Sequence, residues 1–133
     1  EAVVFSGMKA PKYFFTNVKR HGALLAKGRM LGIQFDTLFT DQLYFKVSRH
    51  AITMATRIRS IFQKHGIAIA YDSPTNQQFV ILSPTLYDAL SKKVAFEIWE
   101  RKSDTEIICR FVTSWATKEE ELDELDHILQ TLK

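Results

Sequence analysis

The sequence is poor in the residues that usually announce a function. It holds one cysteine, Cys109, so no disulfide can close within the chain, and a reducing, cytoplasmic setting is the expectation. No apolar run approaches the roughly 20 residues needed to cross a bilayer. The opening Glu1-Ala2-Val3-Val4-Phe5 lacks the basic region and small-residue cleavage site of a signal peptide. There is no Gly-rich phosphate loop, no Gly-x-Ser-x-Gly elbow and no His-Glu-x-x-His pair. The four histidines, His21, His50, His65 and His127, are too scattered for a sequence-local metal site. Cys109 lies inside an apolar strand and reads as inert core rather than as a nucleophile. These absences exclude a membrane span and leave no complete catalytic set.

What is present is ordinary for a globular protein. Apolar residues make up 46% and charged residues 25% of 133 residues, enough to bury a core, with one domain as the default count. The net charge of +3 is unevenly spread. Lys9, Lys12, Lys19, Arg20, Lys27 and Arg29 load the first third, and Glu119, Glu120, Glu121, Asp123, Glu124 and Asp126 load the last helix. The chain opens without Met inside an apolar stretch, where a domain normally begins with loose polar residues, and this predicts a fragment.

The patterns predict a strand over Glu1–Phe5 and a helix from Pro11 to Arg20 stopped by Gly22. A helix over Leu24–Phe39 follows, apolar on most of its surface and therefore buried or at an interface. A long helix runs from Asp41 to Lys64, ends at Gly66, and carries Lys46, Arg49, Arg57 and Arg59 on its wet face. Ile67–Tyr71 and Gln78–Leu82 read as strands around the turn-forming Asp72-Ser73-Pro74-Thr75-Asn76. Ser83-Pro84 caps a helix to Lys93. Strands over Ala95–Trp99 and Ile107–Thr113 then lead to a capping box at Thr117-Lys118-Glu119-Glu120 and a last helix. The second half thus has β-β-α-β-β-α order, an α/β (α+β) layer with helices on one face of a mostly antiparallel sheet.

One charge interrupts the most apolar strand. Arg110 sits in Ile107-Ile108-Cys109-Arg110-Phe111-Val112, and a guanidinium there needs an anionic partner or a solvent-open face. The residues alone leave two readings open, a structural ion pair or edge residue on one side and an anion-binding residue on the other.

The stretch Arg110-Phe111-Val112-Thr113-Ser114-Trp115 resembles a segment near the C-terminus of the threonine aldolase and β-eliminating lyase family. Lys27 to Phe35, Asp72 to Phe79 and Thr113 to Thr117 follow the same family, in order and spacing, along the low-specificity L-threonine aldolase branch. The resemblance implies the aspartate-aminotransferase fold, fold type I, and pyridoxal 5'-phosphate as cofactor. It implies cleavage of a β-hydroxy-α-amino acid such as L-threonine or L-allo-threonine to glycine and an aldehyde, by a homodimer or homotetramer. It divides the chain into 1–40, the end of the cofactor domain with connecting helices, and 41–133, the C-terminal small domain. By the same resemblance Arg110 holds the substrate α-carboxylate, and Lys27, or else Arg29, contacts the cofactor phosphate across a dimer interface. The lysine that forms the Schiff base falls before this sequence, so the chain is expected to be inactive alone.

The alternatives are a stand-alone basic module for nucleic acid and a purely structural interaction domain. The first would interleave aromatic with basic residues on strands, whereas most of the ten phenylalanines read as core. The second rests on the apolar helix over Leu24–Phe39, which predicts self-association. The resemblance argues against a nucleic-acid or membrane partner.

Overall fold

The computed structural model describes residues 3–132. The chain divides into two compact units, Glu1–Leu43 and Tyr44–Lys133. The first carries helices α1 (Phe14–Arg20) and α2 (Arg29–Phe39). Neither helix has a buried residue. Of the two readings of the Leu24–Phe39 segment, buried or at an interface, burial within the chain is therefore overturned. Leu24 and Leu25 lie in the preceding loop, α2 starts only after Gly28, and Met30, Ile33 and Phe39 are exposed. The strand expected at the start is not formed over Val3–Phe5, where no segment among the described residues supplies ladder hydrogen bonds, and Glu1 and Ala2 lie outside the described residues. Left-handed backbone at Asp41 (φ 49°) and Gln42 (φ 59°) ends the segment and delays the next helix by two residues.

In the second unit the long helix α3 (Leu43–Lys64) packs on a three-stranded antiparallel sheet. The strands are β1 (Gln77–Leu82), β2 (Glu97–Arg101) and β3 (Ile107–Val112), in the order β1-β3-β2, with β3 central. Two helices, α4 (Pro84–Leu90) and α5 (Glu119–Thr131), complete the unit. The mixed α/β layer read from the sequence is the observed architecture. The strand expected over Ile67–Tyr71 is reduced to a bridge from Ile69 to Val80. Around it Ala70 N–H donates to the Phe79 carbonyl and Ile81 N–H to the Ala68 carbonyl, both at 2.9 Å.

The core follows from period-two alternation in the strands and helical spacing in α3 and α5. Val80, Leu82, Ile107, Cys109 and Phe111 point inward against Met54, Ile58, Ile61 and Phe62 of α3, Leu90 of α4, and Leu122, Leu125, Ile128 and Leu129 of α5. Each such side chain contributes about 1.5–3 kcal/mol by leaving water. Of the ten phenylalanines, Phe62 and Phe111 are fully in this core, whereas Phe15, Phe39 and Phe45 are exposed, so the expectation that most are core does not hold.

Gly66 (φ +76°) ends α3 in a Schellman motif. Its N–H donates to the Gln63 carbonyl at 3.0 Å, and Ile67 N–H to the Phe62 carbonyl at 2.9 Å. At the start of α4 the Ser83 hydroxyl accepts from Leu86 N–H at 3.2 Å. The capping box expected from Thr117 is not made, because the Thr117 hydroxyl accepts from Ser114 N–H at 2.9 Å instead. The cap moves to Lys118, whose backbone N–H donates to the Glu121 carboxylate at 2.9 Å. Acidic α5 pairs with basic α3 through Arg57 with Asp123 and Glu119, and through Lys64 with Asp126 at 2.6 Å. The wet face of α3 is thus partly a helix-to-helix clamp.

Candidate functional site

Alternation along β3 decides where Arg110 points. Its neighbours Cys109 and Phe111 face the core, so Arg110 lies on the opposite, outer face, with Phe79 of β1 and Glu97 of β2 as its register partners. Three groups surround the guanidinium. The Glu97 carboxylate accepts from Nη2, and the Gln77 side-chain oxygen accepts from Nη1 at 3.2 Å. The Trp99 ring lies 5.3 Å from Cζ, within cation–π range. Nε is buried and has no hydrogen-bond partner. The Arg110 side chain is 26% exposed and that of Glu97 is 67% exposed. Both readings of Arg110 left open by the residues therefore have a physical basis: it is ion-paired, and it lies on the outer sheet face with its side chain partly exposed.

A break in register between Ile98 and Glu100 presents Trp99 beside Arg110. The ring also packs edge-on against Phe79 at 5.2 Å, and Phe79 against Tyr71 at 5.5 Å, so an aromatic row crosses the outer face to the arginine. At the far end the Tyr71 hydroxyl donates to Glu100 at 3.2 Å. Lost hydration and that carboxylate push the Tyr71 phenol above its usual range.

Beyond Arg110, the segments Asp72–Phe79 and Thr113–Thr117 meet. The Asn76 side-chain amide donates to the Thr113 carbonyl at 2.7 Å, and Thr113 N–H donates to the Asn76 carbonyl at 3.0 Å. The buried Thr113 hydroxyl donates to the Ala51 carbonyl of α3 at 2.7 Å. These bonds fix the end of β3 against both the turn and the helix. They border a cavity of about 480 Å³ lined by Tyr44, Ile52, Pro74, Asn76, Ser114 and Trp115 among others.

Lys27 and Arg29 lie in the first unit and Arg110 in the second. Both are exposed, flank Gly28 at the start of α2, and make no ion pair among the described residues. Cys109 is fully buried, and burial pushes its thiol up to about 11, as expected of inert core. No group of three or more His, Cys, Asp or Glu able to hold a metal is found among the described residues, nor is any helix there long and apolar enough to cross a membrane. Sequence reasoning missed Gln77, Glu97 and Trp99 as neighbours of Arg110. The available signal was Glu97-Ile98-Trp99, a charge and an indole two residues apart on a short strand.

No protein-family model matches the chain, and comparison with curated proteins finds no match. Among solved structures, the threonine aldolase of Leishmania major superposes with a TM-score of 0.85 and 35% sequence identity over 92% of this chain. The chain spans 36% of that protein's length. The resemblance read along the chain from Lys27–Phe35, Asp72–Phe79 and Arg110–Thr117 is matched over 92% of it, and the chain is similar in both sequence and fold to part of a threonine aldolase.

Proposed function

We propose that this chain is the C-terminal part of a pyridoxal-phosphate-dependent L-threonine aldolase, with residues 1–40 connecting to the cofactor domain and 41–133 forming the small domain. The whole protein, a cytoplasmic homodimer or homotetramer, would cleave L-threonine or L-allo-threonine to glycine and an aldehyde. The chain alone would be inactive, because the resemblance places the cofactor-holding lysine outside it.

The observation that carries this reading is Arg110, a guanidinium on the outer sheet face, braced by Gln77 and Trp99 and paired with the exposed carboxylate of Glu97. A planar fork of N–H donors matches a carboxylate in two contacts and fixes the orientation of the carbon that bears it. Holding the α-carboxylate there sets which bond of the α-carbon is aligned to break. The cofactor, when bound, supplies the electron sink for the charge left on that carbon. For its phosphate, Lys27 or Arg29 fits: each is an exposed cation, without an ion pair among the described residues, beside the N-terminus of an 11-residue helix, where backbone dipoles favour an anion.

The test is Arg110→Ala and Arg110→Lys in the whole protein, measuring glycine from L-threonine with and without added pyridoxal phosphate. Charged hydrogen bonds of this kind contribute about 1.5–3 kcal/mol, a loss of roughly ten- to hundredfold in kcat/KM. The lysine variant should recover only part of it, because it keeps the charge and loses the fork. Unchanged kinetics in both variants would remove Arg110 from the site.

A further inference from the structure

The Arg110 fork is already in use within the chain, and the two ends of its ion pair are unequally held. Arg110 is mostly buried and secured by Gln77, by the Trp99 ring and by its place on the central strand. Glu97 belongs to β2, whose five residues are all exposed, and its side chain is 67% exposed. Releasing Glu97 returns its carboxylate to water at little cost, whereas releasing Arg110 would strand a guanidinium against apolar surface. When the pair opens, therefore, Glu97 leaves and Arg110 stays. Glu97 also stands directly across the ladder from Arg110, so even when displaced it remains a negative charge beside any newly bound anion.

Resting on the reading of Arg110 as a carboxylate site, we propose that Glu97 is a displaceable internal occupant of the Arg110 fork. It competes with the ligand carboxylate and sets a preference for ligands carrying a single negative charge. Before binding it keeps the fork neutralised and aligned. After displacement its charge penalises a second carboxylate on the ligand more than the first, because the first is compensated by Arg110 and the second is not. Glu97 is thus a specificity-determining residue that acts without touching the reacting atoms.

The experiment uses the 133-residue chain with its arginine side chains labelled in nitrogen, and follows the Arg110 Nε resonance as acetate or malonate replaces chloride at constant ionic strength. Arg110→Lys assigns the resonance. Glu97→Gln removes the charge and keeps a hydrogen-bonding oxygen, and Glu97→Ala removes both. Glu97 is exposed on an edge strand, and an unchanged amide spectrum checks that each variant is folded. The proposal expects acetate to bind about fivefold tighter in Glu97→Gln than in the parent, as tight or tighter in Glu97→Ala, with a larger gain for malonate than for acetate. Equal acetate affinity in all three chains would overturn the role of Glu97 and leave the Arg110 site standing. Equal gains for acetate and malonate would overturn the charge preference. An Arg110 Nε resonance unmoved by either anion in every chain would overturn the carboxylate site itself, and Glu97's role with it.

Discussion

Thr113→Val is the sharpest test of how the arginine strand is held. Thr113 is 1% exposed, and its hydroxyl donates to the Ala51 carbonyl at 2.7 Å, with the Asn76 carbonyl a second acceptor at 3.3 Å. Valine replaces the hydroxyl with a methyl group of similar shape, so the change deletes hydrogen bonding with little change of volume. One good buried bond and one weaker one contribute about 1–2 kcal/mol together, and a carbonyl left without its donor adds to the loss. For a unit of this size, each kcal/mol lowers Tm by about 4–8 °C. The assay is urea unfolding followed by tryptophan fluorescence. The two tryptophans, Trp99 and Trp115, both belong to the unit Tyr44–Lys133, so the signal reports that unit. Thr113→Ser is the control, since it keeps the hydroxyl and loses only a methyl group. Valine should cost more than serine and should shift Trp115 emission, because Trp115 lines the cavity that Thr113 borders. A valine variant as stable as the parent would refute the claim that this hydroxyl fastens β3 to α3.

Acid should weaken the clamp between α3 and α5. Hydrogen bonds from Lys64 first and His65 second hold the Asp126 carboxyl below its usual range. A carboxyl with a lowered folded-state pKa contributes fully above its unfolded value near 4 and loses that contribution as pH falls through the folded value. The stability gap between the parent and Asp126→Asn, read by urea unfolding, should therefore be widest near neutrality and close on acidification, and a gap independent of pH would contradict the pairing. Cys109 should resist a thiol reagent in the folded chain and react once urea exposes it, because burial disfavours the thiolate. Rapid labelling without denaturant would place it outside the core. The exposed apolar residues of α2 should drive self-association, visible in sedimentation as a mass that rises with concentration and that falls in Met30→Glu. A monomer across the whole range would refute it.

Local rules carried much of the fold. Gly66 stopped α3 and Ser83-Pro84 started α4 where expected, because a left-handed backbone position and a side-chain cap are decided by residues within a few places of each other. The same rules failed where a distant or competing group intervened. The Thr117 hydroxyl was claimed by Ser114 N–H, which moved the cap of α5 by one residue. The apolar character of Leu24–Phe39 gave no measure of burial, since burial needs a surface to pack against and α2 has no buried residue.

The sequence by itself determined that a charge sits on the most apolar strand, and the resemblance it carries pointed to a threonine aldolase segment, as the 35% identity with the Leishmania major enzyme bears out. Only the tertiary structure decided what Arg110 meets. Glu97 and Gln77 lie 13 and 33 residues from it along the chain, and the antiparallel register brings them to the same outer face. Trp99 joins them because of a break in that register, which no periodicity announces. Side-chain alternation can be read from one strand, whereas the neighbours across a sheet are set by how separate strands align.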